Sequence, residues 1–251
     1  MNNSKTKQLV AYITAGFPDV NFSVDLALAL KESGADILEL GIAFSDPVAD
    51  GPIIEEANLK SLQNGFKMQN VFDISKEISS TIDTYWMGYF NSFYHKGIEH
   101  ISGLAKDLNV KGFIIPDLPH EETTLYEPVF GKLDLNLVSF VAPTDDEARV
   151  KEVVKESKGF IYLVAYAGIT GQGISEDLSG IAQEIRQNSQ TPLYVGFGVD
   201  EKTAKQKSQG VDGVIVGSAF VKVLLDDTLS KTKKIAKISQ IAKNIKESIN
   251  S

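Results

Sequence analysis

Eight short apolar runs, spread along the whole chain, constrain its fold more than any other feature. They are "LVAYITAG" (9–16), "ADILELGI" (35–42), "TYWMGYF" (84–90), "VKGFIIPD" (110–117), "LNLVSFVAP" (135–143), "GFIYLVAYA" (159–167), "TPLYVGFG" (191–198) and "VDGVIVGS" (211–218). All are rich in β-branched or aromatic residues and apolar on both faces, as in strands buried in a parallel sheet; a half-exposed antiparallel strand would alternate. The segments between them have helical spacing. "NFSVDLALALKESG" puts Phe22, Leu26, Ala29 and Leu30 on one side and stops at Gly34, a suitable residue just past a helix end. "APTDDEARVKEVVKES" opens with Thr144 as the expected N-cap and acidic residues in the first turn, where the helix dipole favours them.

A weak internal repeat runs through "SGADILEL", "LNVKGFII", "SKGFIYLV" and "QGVDGVIV", each passing from a helix end through a short turn into a strand. Eight such units in 251 residues predict an α/β chain forming a single closed (β/α)8 barrel domain over 1–251. An open doubly wound sheet is the alternative. No linker or composition shift marks a second domain. The lysine-rich end, "SKTKKIAKISQIAKNIKESINS", reads as a last amphipathic helix with a solvated basic face.

Charge and composition exclude several classes. A formal charge of −8 with both signs interspersed leaves no basic stripe for a nucleic acid. With no cysteine there is no disulfide, thiol nucleophile or thiolate metal site, which fits a reducing compartment. The N-terminal "MNNSKTKQLVAYITAG" lacks the apolar core of a secretory signal, and no run approaches the roughly 18 apolar residues of a membrane span. A cytoplasmic protein is expected.

Within "LELGIAFSDPVADGP" (38–52) a glutamate interrupts an apolar strand, and an aspartate follows eleven residues later in a Pro/Gly-rich loop. Glu39 shares a strand face with Ile37 and Gly41. If that face points into the barrel, the carboxylate is desolvated near the mouth and its pKa rises, as a general acid-base near neutrality requires. A buried glutamate satisfied by neighbouring donors is the competing reading. Asp50 can be explained as turn chemistry in "DGP", yet its loop is longer than most at this face, and long loops there carry function. Together the two carboxylates suggest proton transfer at two substrate atoms.

Glycines cluster at "GITGQG" (168–173), "GFG" (196–198) and "GS" (217–218). Tight turns need glycine, but glycine also lets backbone N–H groups approach an anion, and barrels often bind phosphate after the seventh and eighth strands. Ser218 is a candidate cap for "AFVKVLL", and "GITGQG" a candidate lid. Lys111 and Lys158 sit at strand starts, wrong for a Schiff base. His95, His100 and His120 are only three, and two of them fall in an expected surface helix region, so no metal site is expected. Tyr12, Tyr89 and Tyr162 are individually explicable as core; together they could wall a pocket for a flat ring.

"LELGIAFSDPVADGP" closely resembles the signature of the tryptophan synthase α subunit family, and "YITAGFP", "IIPDLPHEE", "AGITG", "GFGV" and "GSAFVK" follow in that family's order and spacing. The resemblance spans nearly the whole chain. It implies a (β/α)8 barrel that cleaves indole-3-glycerol phosphate to indole and glyceraldehyde 3-phosphate by a cofactor-free retro-aldol reaction. Glu39 would be the acid-base catalyst and Asp50 the partner of the indole N–H. Tyr162 would lie beside Glu39, with Tyr12, Tyr89 and Phe197 lining the pocket. Gly171, Gly198, Gly217 and Ser218 match phosphate-binding positions, and Thr170 the mobile loop. Asp46, Pro47 and Pro119 would meet a β subunit that carries pyridoxal phosphate and receives indole in an α2β2 complex.

The chain departs from the family at four points. Ala43 stands where proline is common, implying a more flexible second loop. "AYAGITG" replaces a serine-containing lead into the sixth loop. Tyr12 adds a hydroxyl where many members have phenylalanine. Seven residues, "MNNSKTK", stand before the first strand where many members carry a helix, leaving open what covers the barrel bottom.

Overall fold

The computed structural model describes residues 6–165 and 178–251. Nine strand segments are all parallel: β1 (Gln8–Thr14), β2 (Ile37–Gly41), β3 (Asp83–Met87), β4 (Gly112–Ile114), β5 (Asn136–Leu137), β6 (Ser139–Val141), β7 (Ile161–Val164), β8 (Leu193–Gly196) and β9 (Gly213–Val216). Their order is β5-β4-β3-β2-β1-β9-β8-β7-β6. One residue, Val138, separates β5 from β6, and its N–H donates to Phe113 O at 3.0 Å. The two segments are therefore one strand that pairs with β4 at its start and β7 at its end, and it closes the sheet into a (β/α)8 barrel. The eight apolar runs all form strands; the fifth run forms two segments because it changes partner midway.

Strand alternation builds two apolar layers. Outward residues such as Leu38, Leu40, Trp86 and Phe113 pack beneath the helices. Inward residues Val10, Tyr85, Ile114, Val138, Phe160, Tyr162, Tyr194 and Ile215 fill the lumen. Phe160 stacks edge-on against Tyr85 at 5.2 Å and lies 4.9 Å from Tyr194, so aromatic rings plug the lumen. Trp86 is fully buried, and its indole N–H donates to Ser75 Oγ at 2.8 Å, which satisfies its polar end.

The helix Val20–Glu32 is capped by Asp19 and followed by Gly34 at φ +99, the left-handed stop anticipated from sequence. The next cap differs from expectation. Asp146, not Thr144, caps the helix Glu147–Lys155 by accepting from Arg149 N at 2.8 Å, while Asp145 turns back to accept from Ala142 N. At the chain's end the helix Lys231–Ile249 is amphipathic as expected, with two lysines that leave the solvated face. Lys234 is buried against Leu224 O, and Lys246 donates to both Lys7 O and Asp36 Oδ2 at 2.6 Å. Asp36 in turn accepts from Leu9 N. The last helix thus ties down the entries to β1 and β2 at the barrel bottom. No helix among the described residues is long and apolar enough to cross a membrane.

Candidate active site

The loops after β2, β8 and β9, with walls from β1, β2 and β7, enclose a cavity of about 420 Å³ at the C-terminal face of the barrel. Its lining includes Tyr12, Glu39, Asp50, Tyr162, Phe197, Gly198, Gly217 and Ser218, eight residues that the sequence singled out. Strand pairing places Tyr12 of β1 beside Glu39 of β2. Leu38 and Leu40 face the helices, so period-two alternation turns Glu39 inward.

Glu39 is 2% exposed, and its Oε1 has no hydrogen-bond partner among the described residues. Desolvation, with the charge of Asp50 adding to it, raises its pKa to about 8. At neutral pH the side chain is therefore a neutral acid with a reversible proton. This removes most of the cost of burying it, since a neutral carboxyl is far cheaper to desolvate than a carboxylate. The orphan oxygen still lacks a partner, a deficit that proteins tolerate where a ligand completes the set.

Asp50 occupies the end of the loop after β2. Gly51 then forms the N-cap of the helix Pro52–Gln63, with Pro52 at its first position. "DGP" therefore does serve as helix-start chemistry, and the same turn presents Asp50 to the cavity. Burial raises its pKa to about 6, opposed by hydrogen bonds from Asn58 and Tyr89. Asn58 Nδ2 donates to Asp50 Oδ2 at 2.9 Å from the buried face of that helix.

The tyrosines divide into two kinds. Tyr12 and Tyr162 wall the cavity, and burial followed by the nearby carboxylates pushes both hydroxyls well above their ordinary pKa. Each rests on a glycine: a Cβ at Gly41 would fall 2.3 Å from the Tyr12 hydroxyl, and one at Gly196 2.4 Å from that of Tyr162. Tyr89 stands behind the wall, not in it. Its hydroxyl accepts from Ala49 N at 3.0 Å and its ring stacks on Phe44 at 5.1 Å, so it braces the Asp50 loop.

On the β8–β9 side, Phe197 and Gly198 both take left-handed backbone conformations, at φ +70 and +64. For Phe197 that conformation is strained, and strain of this kind gathers at ligand sites. Its ring meets Tyr162 edge-on at 6.0 Å. Ser218 is the first residue of the helix Ser218–Leu224, whose N-cap is Gly217; the expected Ser218 cap is not formed. Thr170, Gly171 and the candidate lid 168–173 lie outside the described residues.

Asp46 and Pro119 are exposed and Pro47 is half-buried, all beyond the cavity. Among the described residues no group of three or more acidic or histidine side chains could hold a metal ion. Sequence reasoning missed Asn58 and Lys207. Lys207 lines the cavity from the helix Ala204–Lys207. A polar residue on the inward face of an otherwise amphipathic helix was the available signal for Asn58.

Comparison with known proteins adds an independent line. The family model described as "Tryptophan synthase alpha chain" matches residues 1–250. The tryptophan synthase alpha chain of Wolinella succinogenes is 56% identical over 246 residues, covering 98% of this chain and 96% of that one. The protein of the same name from Petrotoga mobilis is 37% identical over 246 residues, 96% of this chain and 95% of its own. Among solved structures, tryptophan synthase of Mycobacterium tuberculosis superposes with a TM-score of 0.88 at 29% identity, over 98% of this chain and 94% of that one. Tryptophan synthase subunit alpha from Campylobacter jejuni gives 0.85 at 34% identity, over 94% and 96%.

Proposed function

Since the chain belongs to the tryptophan synthase alpha chain family, we infer that its cavity is where indole-3-glycerol phosphate is cleaved to indole and glyceraldehyde 3-phosphate. The chain is a lyase of tryptophan biosynthesis, and the whole of it acts as one barrel domain. The observation that carries the site assignment is the pairing of Glu39, neutral and short of a partner, with Asp50 in one cavity.

The chemistry follows from those two groups. Glu39 gives its proton to C3 of the indole ring, making that carbon tetrahedral and placing positive charge on the ring nitrogen. Asp50, ionised above about pH 6, accepts the ring N–H and stabilises that charge. The Glu39 carboxylate then removes the proton of the glycerol hydroxyl next to C3. The carbon–carbon bond breaks, its electrons return to the ring, and the hydroxyl carbon becomes the aldehyde. Glu39 ends protonated, as it began. A single carboxyl with a pKa of about 8 suits both steps, because a strong acid would not re-form and a weak one would not protonate carbon.

Tyr12 and Tyr162 line the ring pocket, with Phe197 closing its side; Tyr89 braces Asp50 from behind. Gly198, Gly217 and Ser218 take the phosphate; Thr170 and Gly171, the other positions matched by the resemblance, lie outside the described residues. The reaction needs no cofactor from this chain. A β subunit carrying pyridoxal phosphate accepts the indole in a cytoplasmic α2β2 complex. A docking side for it is supported by Val48 (82% exposed), Leu59, Tyr94 and Leu125, large apolar residues that emerge from the segments after the adjacent strands β2, β3 and β4. Asp46, Pro47 and Pro119 lie in the same segments.

Indole release from indole-3-glycerol phosphate, followed with and without a tryptophan synthase β subunit, tests this reading. Release that rises sharply with the β subunit supports both activity and partner. Full release without it separates the lyase from the complex, and no release in either mixture refutes the assignment.

A further inference from the structure

At neutral pH the cavity holds one ionised carboxylate, Asp50, beside the neutral Glu39, and the substrate brings a phosphate. A dianion entering beside Asp50 is repelled unless a cation balances it, and the chain as a whole, at −8, supplies no general attraction. Among the described residues that line the cavity, Lys207 is the one basic side chain. It is the last residue of the helix Ala204–Lys207, between β8 and β9, on the side of Gly198 and Gly217.

The local geometry holds its ammonium at the cavity wall. Lys207 Nζ donates to Phe197 O at 2.7 Å, and a Cβ added to Gly198 would lie 3.0 Å from it. One of three N–H donors is thereby used. None of the ion pairs within 4.0 Å among the described residues involves Lys207. Burial lowers its pKa, and Asp200, a charge at longer range, opposes that. Asp200 is itself occupied by the backbone N–H groups of Lys202 and Thr203 at 2.9 Å. A half-buried ammonium with unused donors and no paired anion is poised for an anionic ligand.

We propose that Lys207 is the cation that recognises the substrate's phosphate, its ammonium anchored on Phe197 O and directed past Gly198 into the cavity. The proposal rests on the functional reading above and gives that site a specificity-determining side chain in addition to backbone N–H groups. Its consequence is charge selection: ligands with the phosphate gain affinity through Lys207, and ligands without it do not. The competing role is mechanical, in which Lys207 braces the strained Phe197 turn and acts on every ligand alike.

A pair of ligands separates the two. Indole-3-propanol phosphate keeps the ring and the phosphate but lacks the hydroxyl needed for cleavage, and indole-3-propanol lacks the phosphate as well. Calorimetric affinities of both are measured for the full-length wild type, Lys207→Met and Lys207→Arg. Loss of a charge-assisted hydrogen bond predicts binding of the phosphate ligand weakened on the order of 10- to 100-fold in Lys207→Met. The alcohol is unaffected, Lys207→Arg recovers most of the loss, and the wild-type preference for the phosphate shrinks with added salt. In turnover of indole-3-glycerol phosphate, KM rises more than kcat falls. Equal weakening of both ligands, or no weakening of either, overturns the proposal. If Lys207→Met fails to fold, Lys207→Gln, which keeps a donor for Phe197 O without the charge, carries the same comparison. Wild-type indole release is measured in parallel: its absence removes the functional reading, while a phosphate preference dependent on Lys207 would still support the anion site.

Discussion

Asn58 holds Asp50 in place: its amide donates to Oδ2 at 2.9 Å, eight residues along the chain and in the second turn of the helix that the Asp50 loop starts. The bond also sets the charge of the loop, because a donor to the ionised carboxylate lowers its pKa against the burial that raises it. Replacing Asn58 with Ala therefore moves the Asp50 pKa above its present value of about 6. The acid limb of the kcat/KM profile for cleavage should shift to higher pH in Asn58→Ala, with a lower plateau from looser positioning. An unchanged limb would show that Asp50 ionisation does not govern that side of the profile.

Asp50→Asn keeps the shape and loses the charge that stabilises the cationic ring. By analogy with removal of one stabilising group from a preorganised site, cleavage should slow on the order of 100-fold. Folding should change far less, because the native carboxyl is itself costly to bury. Thermal melts beside steady-state rates check this; a large drop in melting temperature with a matching loss of activity would make Asp50 structural.

The raised pKa of Glu39 also has a stability consequence. With a folded pKa of about 8 against an ordinary 4.5, the native state binds more protons than the unfolded chain across that interval. The stabilising effect of its proton is fully present below about pH 4.5 and is lost as pH rises through about 8. Asp50 acts with the same sign between its ordinary 3.8 and about 6. Glu39→Gln removes the Glu39 contribution, so urea titrations should show the variant gaining on the wild type from pH 5 to pH 8, by at most about 1.4 kcal/mol per pH unit. Parallel stability profiles would mean that Glu39 titrates normally.

Tyr12 lies so close over Gly41 that an added methyl would meet its hydroxyl at 2.3 Å and two ring carbons at 2.5 Å. Gly41→Ala should cost about 1–3 kcal/mol by overpacking and displace a pocket wall. In a Tyr12→Ala background the same substitution should cost little, giving a coupling energy well above the ~0.5 kcal/mol of independent sites. Additive effects in that cycle would refute the steric account.

Much of this architecture was legible in the sequence for one reason: strands buried on both faces read as continuous apolar runs, and a charged residue inside such a run stands out. Glu39 was visible that way, and its inward face followed from alternation. The Thr144 cap was misread because Thr144, Asp145 and Asp146 offer three capping side chains in a row, and only the backbone path decides among them. Tyr89 was placed in the wall because sequence gives its strand end but not the loop that folds over it. Asn58 and Lys207 were missed because each comes from a helix, Asn58 to bond Asp50 and Lys207 to line the cavity, and the rotation of a helix relative to the barrel, set by packing, selects which residue faces inward.

The most direct test of the account is the rate of indole formation from indole-3-glycerol phosphate by wild type and Glu39→Gln, each with the β subunit present. Glutamine keeps the volume of Glu39 but offers no transferable acid proton. Cleavage should fall by about 100- to 10,000-fold, the range typical of general acid-base catalysis, with the melting curve and β-subunit binding retained. A Glu39→Gln chain that still releases indole at a rate near wild type would contradict the mechanism at its centre.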